Sequence, residues 1–353
     1  MTSFNNRSGG FVLVAVIWVL ASMALIVGYI AGQLETLAQQ SFAMEADKAA
    51  RLDRIAIEST ALYLAATRTV SHAGIRTRPF ETDAGSALEM VSRNFFASSG
   101  DELRLDNRIY QVRGGHGLQL QDAGSLVSLR SDGFNRLRKL LQSHELTPAR
   151  IDRLVSTLTD YVDRDDEPLL NGAERAEYER AGLLPPTNRF LVNPYQLYNV
   201  MDWPEVLDEL PGLLEEVTIY VADSENFNTM TSQGLGDFGR LDEAAVNRML
   251  AWRRTRSFDD LSDVLSVSGD IFQRDPMSLT LVPSRYLRMR ITEPGRTKAH
   301  EIGITLTPDS TDAPWTVDYR LVNAAGIDPV KPKIEEPSDR TVVATAAPTI
   351  LLQ

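Results

Sequence analysis

The chain has 353 residues, which is room for roughly two domains of about 150 residues each. Its 36 lysines and arginines against 48 aspartates and glutamates give a net charge of −12, which argues against a general nucleic-acid binder, because such binders depend on neutralising phosphates. The chain has no cysteine, so disulfides, thiolate metal sites and cysteine nucleophiles are excluded.

The N-terminal region carries the strongest signal. After ten polar residues with one charge, Arg7, an uncharged apolar run extends from Phe11 to Gly32. Such a run predicts a membrane-spanning helix, because about 20 apolar residues cross one bilayer core. The positive-inside rule then keeps the N-terminus in the cytoplasm and sends the rest of the chain across. The alternatives are a secretory signal cleaved near Ser22-Met23-Ala24 and an uncleaved signal anchor.

The junction between Gly10 and Phe11 suggests a third interpretation. A short polar leader, then glycine, then a phenylalanine that opens the apolar run looks like a prepilin-type signal. The peptidase for such signals cuts before the apolar segment, so the helix stays on the mature protein. No proline occurs between Phe11 and Ala73, and apolar residues recur at three- and four-residue spacing beyond position 50. We therefore predict one long helix, membrane-spanning over 11–32 and amphipathic over 33–73.

The rest of the chain alternates between strand-like and helix-like patterns. Short alternating runs predict strands at 102–105, 109–113, 118–121 and 126–129, with Gly114-Gly115 as a hairpin turn. Helical periodicity follows at 134–141, 151–162, 244–254 and 258–265, interrupted by a strand-like run at 217–221. Further strands are predicted at 279–282, 286–291, 301–306 and 315–320. From position 324 onward, prolines among small and charged residues predict a disordered tail.

Strands on both sides of a helical block predict an α+β fold with an inserted all-α domain. The predicted order is a leader over 1–10, the long N-terminal helix, and an antiparallel sheet domain. That sheet domain is built from 74–130 and 277–323, with the helical insertion over 131–276 and the tail over 324–353.

The densest acidic segment lies between positions 160 and 174. Counted from Asp163, further acids stand at positions three, five and twelve of an EF-hand-like loop: Asp165, Glu167 and Glu174. Pro168 occupies the place of the usual EF-hand glycine, so we expect an irregular calcium loop and not a true EF-hand. The alternatives are a solvated acidic helix end and a hydrolase carboxylate pair, Asp163 with Asp166.

A basic cluster near position 253 offers a different chemistry. The region around Asn226–Thr229 and 249–261 is similar to helix-hairpin-helix modules of DNA-binding competence proteins, in which Arg253, Arg254 and Arg256 could contact phosphate. Three aspartates follow at once, and no Gly-x-Gly hairpin separates two helices, so a structural use of these helices is favoured. No phosphate-binding loop and no Gly-x-Ser-x-Gly elbow occur, so we expect no enzyme activity.

Several stretches together resemble one family, protein K of the type II secretion system. They are the Gly10-Phe11 signal, Leu158–Glu167 leading into Asn171–Tyr178, Val217–Val221 followed by Asn226–Thr229, and the strand Ser284–Arg290. Position 15, the fifth after the predicted cleavage point, is Ala15, where most pilins carry glutamate, and protein K subunits characteristically lack that glutamate. After Thr229 the chain has Met230-Thr231, where the family usually continues Ala-Pro.

The resemblance implies a role and a set of partners. Protein K is a minor pseudopilin that caps the pseudopilus together with minor pseudopilins I and J, and the complex starts filament assembly for export of exoproteins. The implied partners also include the prepilin peptidase, which acts at Gly10 and Phe11 and methylates the new N-terminus, and the inner-membrane assembly platform. No nucleic acid is expected. The implied location is the bacterial inner membrane, with a single pass and a periplasmic head.

Calcium binding is known for the family. The resemblance carries calcium over to five acids of this chain: Asp163, Asp165, Asp166, Glu167 and Glu174.

Overall fold

The computed structural model describes residues 9–79, 96–130, 134–221, 225–237, 241–269, 279–295 and 298–324. The chain divides into two units, Met1–Ile55 and Ala56–Gln353. The predicted disordered tail lies outside the described residues, apart from its first residue, and so does the predicted leader before Gly9.

The long N-terminal helix is confirmed, but it ends at Thr67 and not at the predicted position 73, because Val70 instead forms a β-bridge with Ile75. Helix α1 runs over Gly9–Thr67, 59 residues, and at ~1.5 Å per residue it is about 90 Å long. Its apolar part has a mean hydropathy of 2.5 over an 18-residue window, none of which is buried in the structure. By length and composition this helix can cross a membrane.

The second unit contains the last turns of α1 and all remaining elements. Its other helices are α2 (Asn135–Ser143), α3 (Pro148–Val162), α4 (Arg175–Ala181), α5 (Trp203–Glu209), α6 (Leu213–Glu216), α7 (Ser232–Asp237), α8 (Glu243–Thr255) and α9 (Leu261–Ser268). Its strands are β1 (Gly74–Arg76), β2 (Glu102–Arg104), β3 (Asp106–Gln111), β4 (Gly117–Asp122), β5 (Val127–Ser128), β6 (Val217–Thr218), β7 (Glu225–Asn226), β8 (Leu279–Thr280), β9 (Tyr286–Thr292), β10 (Lys298–Leu306) and β11 (Trp315–Ala324).

A five-stranded antiparallel sheet, in the order β11-β10-β9-β4-β3, forms the frame of this unit. Side chains alternate between its two faces, as a strand requires. Leu118 and Leu120 of β4, with Met289 of β9, pack in one core with α1 residues such as Ile57 and Leu64. The intervening polar residues of the same strands belong to the opposite face. The predicted α+β fold with an antiparallel sheet is thereby confirmed.

The hairpin between β3 and β4 turns where the sequence predicts. Gly114 and Gly115 have φ of 65° and 75°, a region that favours glycine because it lacks a Cβ.

The helices α2–α9 lie in the sequence between strands of this one sheet, and they enclose a second core. Helix α3 begins at Pro148, a residue favoured at the first helical position. Thr147 caps the helix, because its side chain accepts a hydrogen bond from the Arg150 N–H. The indole N–H of buried Trp203 donates to the Leu154 carbonyl at 2.9 Å, which ties α5 to α3. The division at 131 and 276 remains a prediction, since both positions lie outside the described residues.

A buried ionic seam joins this helical part to the sheet. Arg288 donates to the carbonyls of Leu214 and Glu215 on α6, at 3.2 and 2.8 Å. Arg290 donates to the carboxylates of Glu215 and Glu301, both at 2.6 Å. Burial alone would raise the pKa of Glu215, but the two guanidinium groups hold it below its ordinary value. The polar face of the sheet is thus matched to the helices it meets.

Candidate metal centre

Three acids converge where α3 ends and α4 begins. Asp160 lies in the last turn of α3, Asp163 follows its end, and Glu174 immediately precedes α4. One carboxylate oxygen from each lies within 4.8 Å of the others. The two helix ends therefore bring together residues that the sequence separates by up to fourteen positions.

The loop between these helices is held against the acids. The backbone N–H of Leu169 donates to the Asp160 carboxylate at 3.1 Å. A Cβ at Gly172 would overlap that same carboxylate, so the loop needs glycine there to pass so closely. Arg153 donates to the carbonyls of Asn171 and Gly172, at 3.0 and 2.9 Å. The loop path and the acid cluster thus depend on each other.

The three acids of the cluster lie close together, and among the described residues no basic side chain forms an ion pair with any of them. Glu174 is only 3% exposed, and neither of its carboxylate oxygens has a hydrogen-bond partner among the described residues. Burial, with the charges of Asp160 and Asp163, raises the pKa of Glu174 to about 7. Burial also raises the pKa of Asp160 and that of Asp163, whose Oδ1 is likewise without a partner in the described part of the chain. Such a cluster is relieved either by protons or by a cation.

These donors fit a hard divalent cation. Carboxylate oxygens are the ligands that calcium prefers, and its coordination shell tolerates irregular geometry and completes itself with carbonyls and water. The unsatisfied oxygens of Asp163 and Glu174 point to the same conclusion, because buried polar atoms normally have partners.

The structure places the five predicted ligands in two groups. Asp163 and Glu174 belong to the cluster, whereas Asp165, Asp166 and Glu167 are exposed in the loop. There Asp165 accepts from the N–H of Glu167 at 3.1 Å, and Asn188 donates to Asp166 at 3.2 Å. The part of these three as ligands stays a prediction.

Asp160 was absent from the predicted ligand set. It stands three residues before Asp163, a spacing that would bring two side chains together on a continuous helix, and this signal was available in the sequence.

The arginines considered for phosphate contact have structural partners. Arg253 is 5% exposed, donates to the Met230 carbonyl at 2.7 Å, and lies 3.8 Å from the Asp106 carboxylate. Burial lowers its pKa to about 10. The guanidinium of Arg256 stacks over the Trp252 ring. Arg253 therefore faces the protein interior and holds α8 against the sheet, where a phosphate has no access.

The Asn226–Thr229 motif also serves the interior. Thr229 donates to the buried Asp122 carboxylate at 2.9 Å, and the side-chain hydroxyl of Ser284 donates to the same group. The side-chain oxygen of Asn228 accepts a hydrogen bond from the Phe258 N–H at 2.8 Å, and its side-chain nitrogen donates to the Phe258 carbonyl at 2.9 Å. The motif thus joins the end of β4 to the segment that leads into α9.

The described residues combine an apolar helix long enough to span a membrane with an antiparallel sheet and a large helical portion, which is an α+β architecture. Residues 118–210, from β4 to the end of α5, match the family model described as type II secretion system (T2SS), protein K. This match supports, over residues 118–210, the family resemblance seen in the sequence.

One solved structure shows a similar chain. It is the crystal structure of the GspK-GspI-GspJ complex from the enterotoxigenic Escherichia coli type 2 secretion system. The two chains are 16% identical, the match covers 82% of this chain and 99% of that one, and the TM-score is 0.48. No curated protein matches the sequence.

Proposed function

We propose that this protein is the minor pseudopilin that caps the tip of the pseudopilus and starts its assembly together with minor pseudopilins I and J. The observation that carries the proposal is the protein K match over 118–210 in a chain whose apolar N-terminal helix can span a membrane. The helix anchors the subunit in the inner membrane with the N-terminus in the cytoplasm, and the head lies in the periplasm. The assembled filament drives folded exoproteins across the outer membrane.

Co-purification tests the assembly role. The tagged full-length chain, extracted from membranes, is expected to bring down the I and J subunits of its own secretion operon. A strain lacking this chain should form few pseudopili and retain exoprotein in the periplasm. A complex of I and J that starts filaments equally well without this chain would contradict the proposal. DNA retained by the purified protein in a salt-dependent manner would instead favour the competence-type alternative.

Processing at Gly10 is a separate step of the same proposal. The mature chain should begin at Phe11, with a methylated amine added by the prepilin peptidase. Valine at position 10 obstructs the scissile bond, so Gly10→Val should leave a precursor ten residues longer and abolish secretion. Intact mass measurement decides the point, and Ser8→Ala, two residues upstream, is the control that should be processed normally. A mature start near Leu25, or an intact Met1, would rule out this processing.

The proposal includes a bound calcium ion at the cluster of Asp160, Asp163 and Glu174. The ion would supply the positive charge that these buried carboxylates lack. Their own part is to fix the end of α3, the loop and the start of α4 relative to one another. The exposed acids Asp165, Asp166 and Glu167 raise the local negative potential that attracts the ion, and one or more of them completes its coordination.

Thermal unfolding of the full-length chain in detergent tests the calcium site. Calcium at 100 times its dissociation constant stabilises a folded protein by about 2.7 kcal/mol, so the melting temperature should rise with calcium and fall with chelator. Asp163→Asn combined with Glu174→Gln should erase the shift. The matched pair Asp165→Asn and Glu167→Gln removes the same charge from exposed positions and should retain most of it. A melting temperature of the natural protein that ignores both calcium and chelator would refute the site.

A further inference from the structure

A groove of about 670 Å³ lies where the helical part of the head meets the sheet, away from the acid cluster. Its lining includes Phe190 and Val192 from the segment between α4 and α5, and Val221 just after β6. The sheet contributes Tyr286 of β9 and Asp318 of the edge strand β11. Volumes of about 300–1,000 Å³ are typical of ligand sites.

The groove exposes apolar side chains that the described residues cover only in part. Phe190, Val192 and Val221 are 53%, 56% and 50% exposed. Single exposed apolar residues are ordinary, but three in the lining of one groove form a patch of the kind that marks an interaction site. Because these side chains are half-exposed, the groove is open, which suits a chain that lies along it better than an enclosed small molecule.

The same groove holds one positive and one negative group. The Arg130 guanidinium lies over the Phe190 ring, 4.5 Å from its centroid, and no acidic side chain among the described residues pairs with it. Asp318 is fixed by two hydroxyls, from Tyr220 and Thr305, which both donate to its Oδ2 at 2.7 Å. The Tyr220 and Tyr286 rings stack at 4.6 Å and hold the first of these hydroxyls in place. Both charged groups are therefore positioned before any ligand arrives.

We propose that this groove binds an extended segment of a partner protein that carries apolar side chains between an acidic and a basic residue. The acidic side chain meets Arg130, whose planar guanidinium matches a carboxylate in two parallel hydrogen bonds. The basic side chain meets Asp318, and the apolar side chains cover Phe190, Val192 and Val221. Charge complementarity favours a polypeptide over nucleic acid, because nucleic acid presents one sign of charge to a groove that offers both. This inference does not depend on calcium or on the tip position.

A designed peptide tests the groove directly. The probe is a fluorescein-labelled pentapeptide with Asp and Lys at its ends and three leucines between them, tested also in reverse order against the full-length chain in nanodiscs. Fluorescence anisotropy should show saturable binding by the natural protein. Val192→Asp should weaken binding at least tenfold, whereas Val322→Asp, at a similarly exposed valine of β11 outside the groove, should leave it unchanged.

The charge contact is tested by a double-mutant cycle. Replacing the peptide's Asp with Asn, or Arg130 with Gln, should each weaken binding several-fold, and the two together should weaken it no further. Equal binding by the Asn peptide and the Asp peptide would overturn the proposal, as would equal binding by Val192→Asp. Absence of binding at millimolar peptide would also overturn it. A photo-crosslinker at Val192 that reacted with residues 325–353 of its own chain would overturn it too, by showing that the groove is occupied from within.

Discussion

Among the described residues, several buried charges have a buried partner of opposite charge, whereas Glu174 has none. Glu215 has Arg288 and Arg290, and Arg253 has Asp106. Glu174 has two further acids instead. Since a buried acid among acids is costly when ionised, this arrangement supports the proposed binding of a cation at the cluster.

Glu174→Gln should change how stability depends on pH when calcium is absent. The folded-state pKa of Glu174 is about 7, above its ordinary 4.5, so the folded chain holds this proton more tightly than the unfolded chain. The stability that this proton contributes is complete below pH 4.5 and is lost as pH rises to about 7. The variant has no such loss, so in chelator it should match the natural protein at pH 5 and melt at a higher temperature at pH 8.

The control for this pH effect is Glu167→Gln, which neutralises an exposed acid of the same loop. Its melting temperature should follow the natural protein across the whole range. Parallel curves for Glu174→Gln and the natural protein would show that folding does not change the pKa of Glu174.

Arg253→Met should destabilise the head by about 1–3 kcal/mol. The substitution leaves the Met230 carbonyl buried without its donor, which costs that much. Loss of a buried ion-pair partner usually costs about 3–5 kcal/mol, but Asp106 keeps its paired hydrogen bonds from Arg108 at 2.8 and 2.7 Å. Urea unfolding measures the change. Arg256→Met, which removes only an exposed stack on Trp252, should cost less than about 1 kcal/mol; equal costs would contradict the buried role.

At the scale of elements, the starts of α3 and α8 are determined by capping residues that can be recognised in the sequence. Asp242 caps α8, where its carboxylate accepts the Ala245 N–H at 2.7 Å. Thr147 and Pro148 open α3 in the same way. These signals lie within four residues, so no knowledge of the rest of the fold is needed to read them.

Asp242→Ala should destabilise the head by about 0.5–2 kcal/mol, because the first N–H groups of α8 lose their acceptor. Glu243→Ala, one residue on, removes only a favourable charge near the helix N-terminus and should cost about 0.3–1 kcal/mol. Urea midpoints of the two variants in the full-length chain provide the comparison. A larger loss for Glu243→Ala would mean that Asp242 does not act as the cap.

Elements that depend on distant partners were predicted less well. The helical pattern over 258–265 begins in the structure only at Leu261, because Phe258 stacks on Trp252 at 5.7 Å and its N–H is taken by Asn228. The short parallel pairs β5–β6 and β7–β8 were not predicted as pairs, since two-residue strands have no periodicity and form only where the fold brings them together. The density of acidic residues in the sequence indicated Asp163 and Glu174. Asp160 joins them because the fold buries its side chain beside theirs, and burial is a property of the folded chain.

At the scale of the whole molecule, one chain combines an exposed apolar helix with a head whose own cores are closed. The apolar side chains of 12–30 are exposed along α1, whereas the α1 residues around Ile57 are buried within the head unit. An uncovered apolar helix in a soluble protein would aggregate. By length and composition the first part of α1 can cross a membrane, which is the environment that the proposed function gives it.

Residue 15, the fifth of the predicted mature chain, is alanine and not the glutamate usual in pilins. In pilin-like filaments the glutamate usual at this place neutralises the N-terminal amine of the neighbouring subunit ahead. A subunit at the tip has no subunit ahead, so a carboxylate there would remain unpaired in an apolar environment. A charge at the centre of a membrane helix costs about 2.5–3.5 kcal/mol on insertion scales, and the cost is smaller at position 15, which lies nearer the end of the apolar run. Alanine avoids this cost, which favours the tip position for this chain and about one copy per filament.

Ala15→Glu should therefore reduce secretion or leave it unchanged, and never improve it, because the new carboxylate gains no partner at the tip. Ala21→Glu, which places the same charge elsewhere in the apolar run, is the control that separates a general insertion defect from an effect at position 15. Cross-links from position 15 should reach only subunits below it in the filament. Quantitative labelling that found this chain repeated along the shaft, at a copy number near that of the major pseudopilin, would refute the tip position and leave the processing at Gly10 untouched.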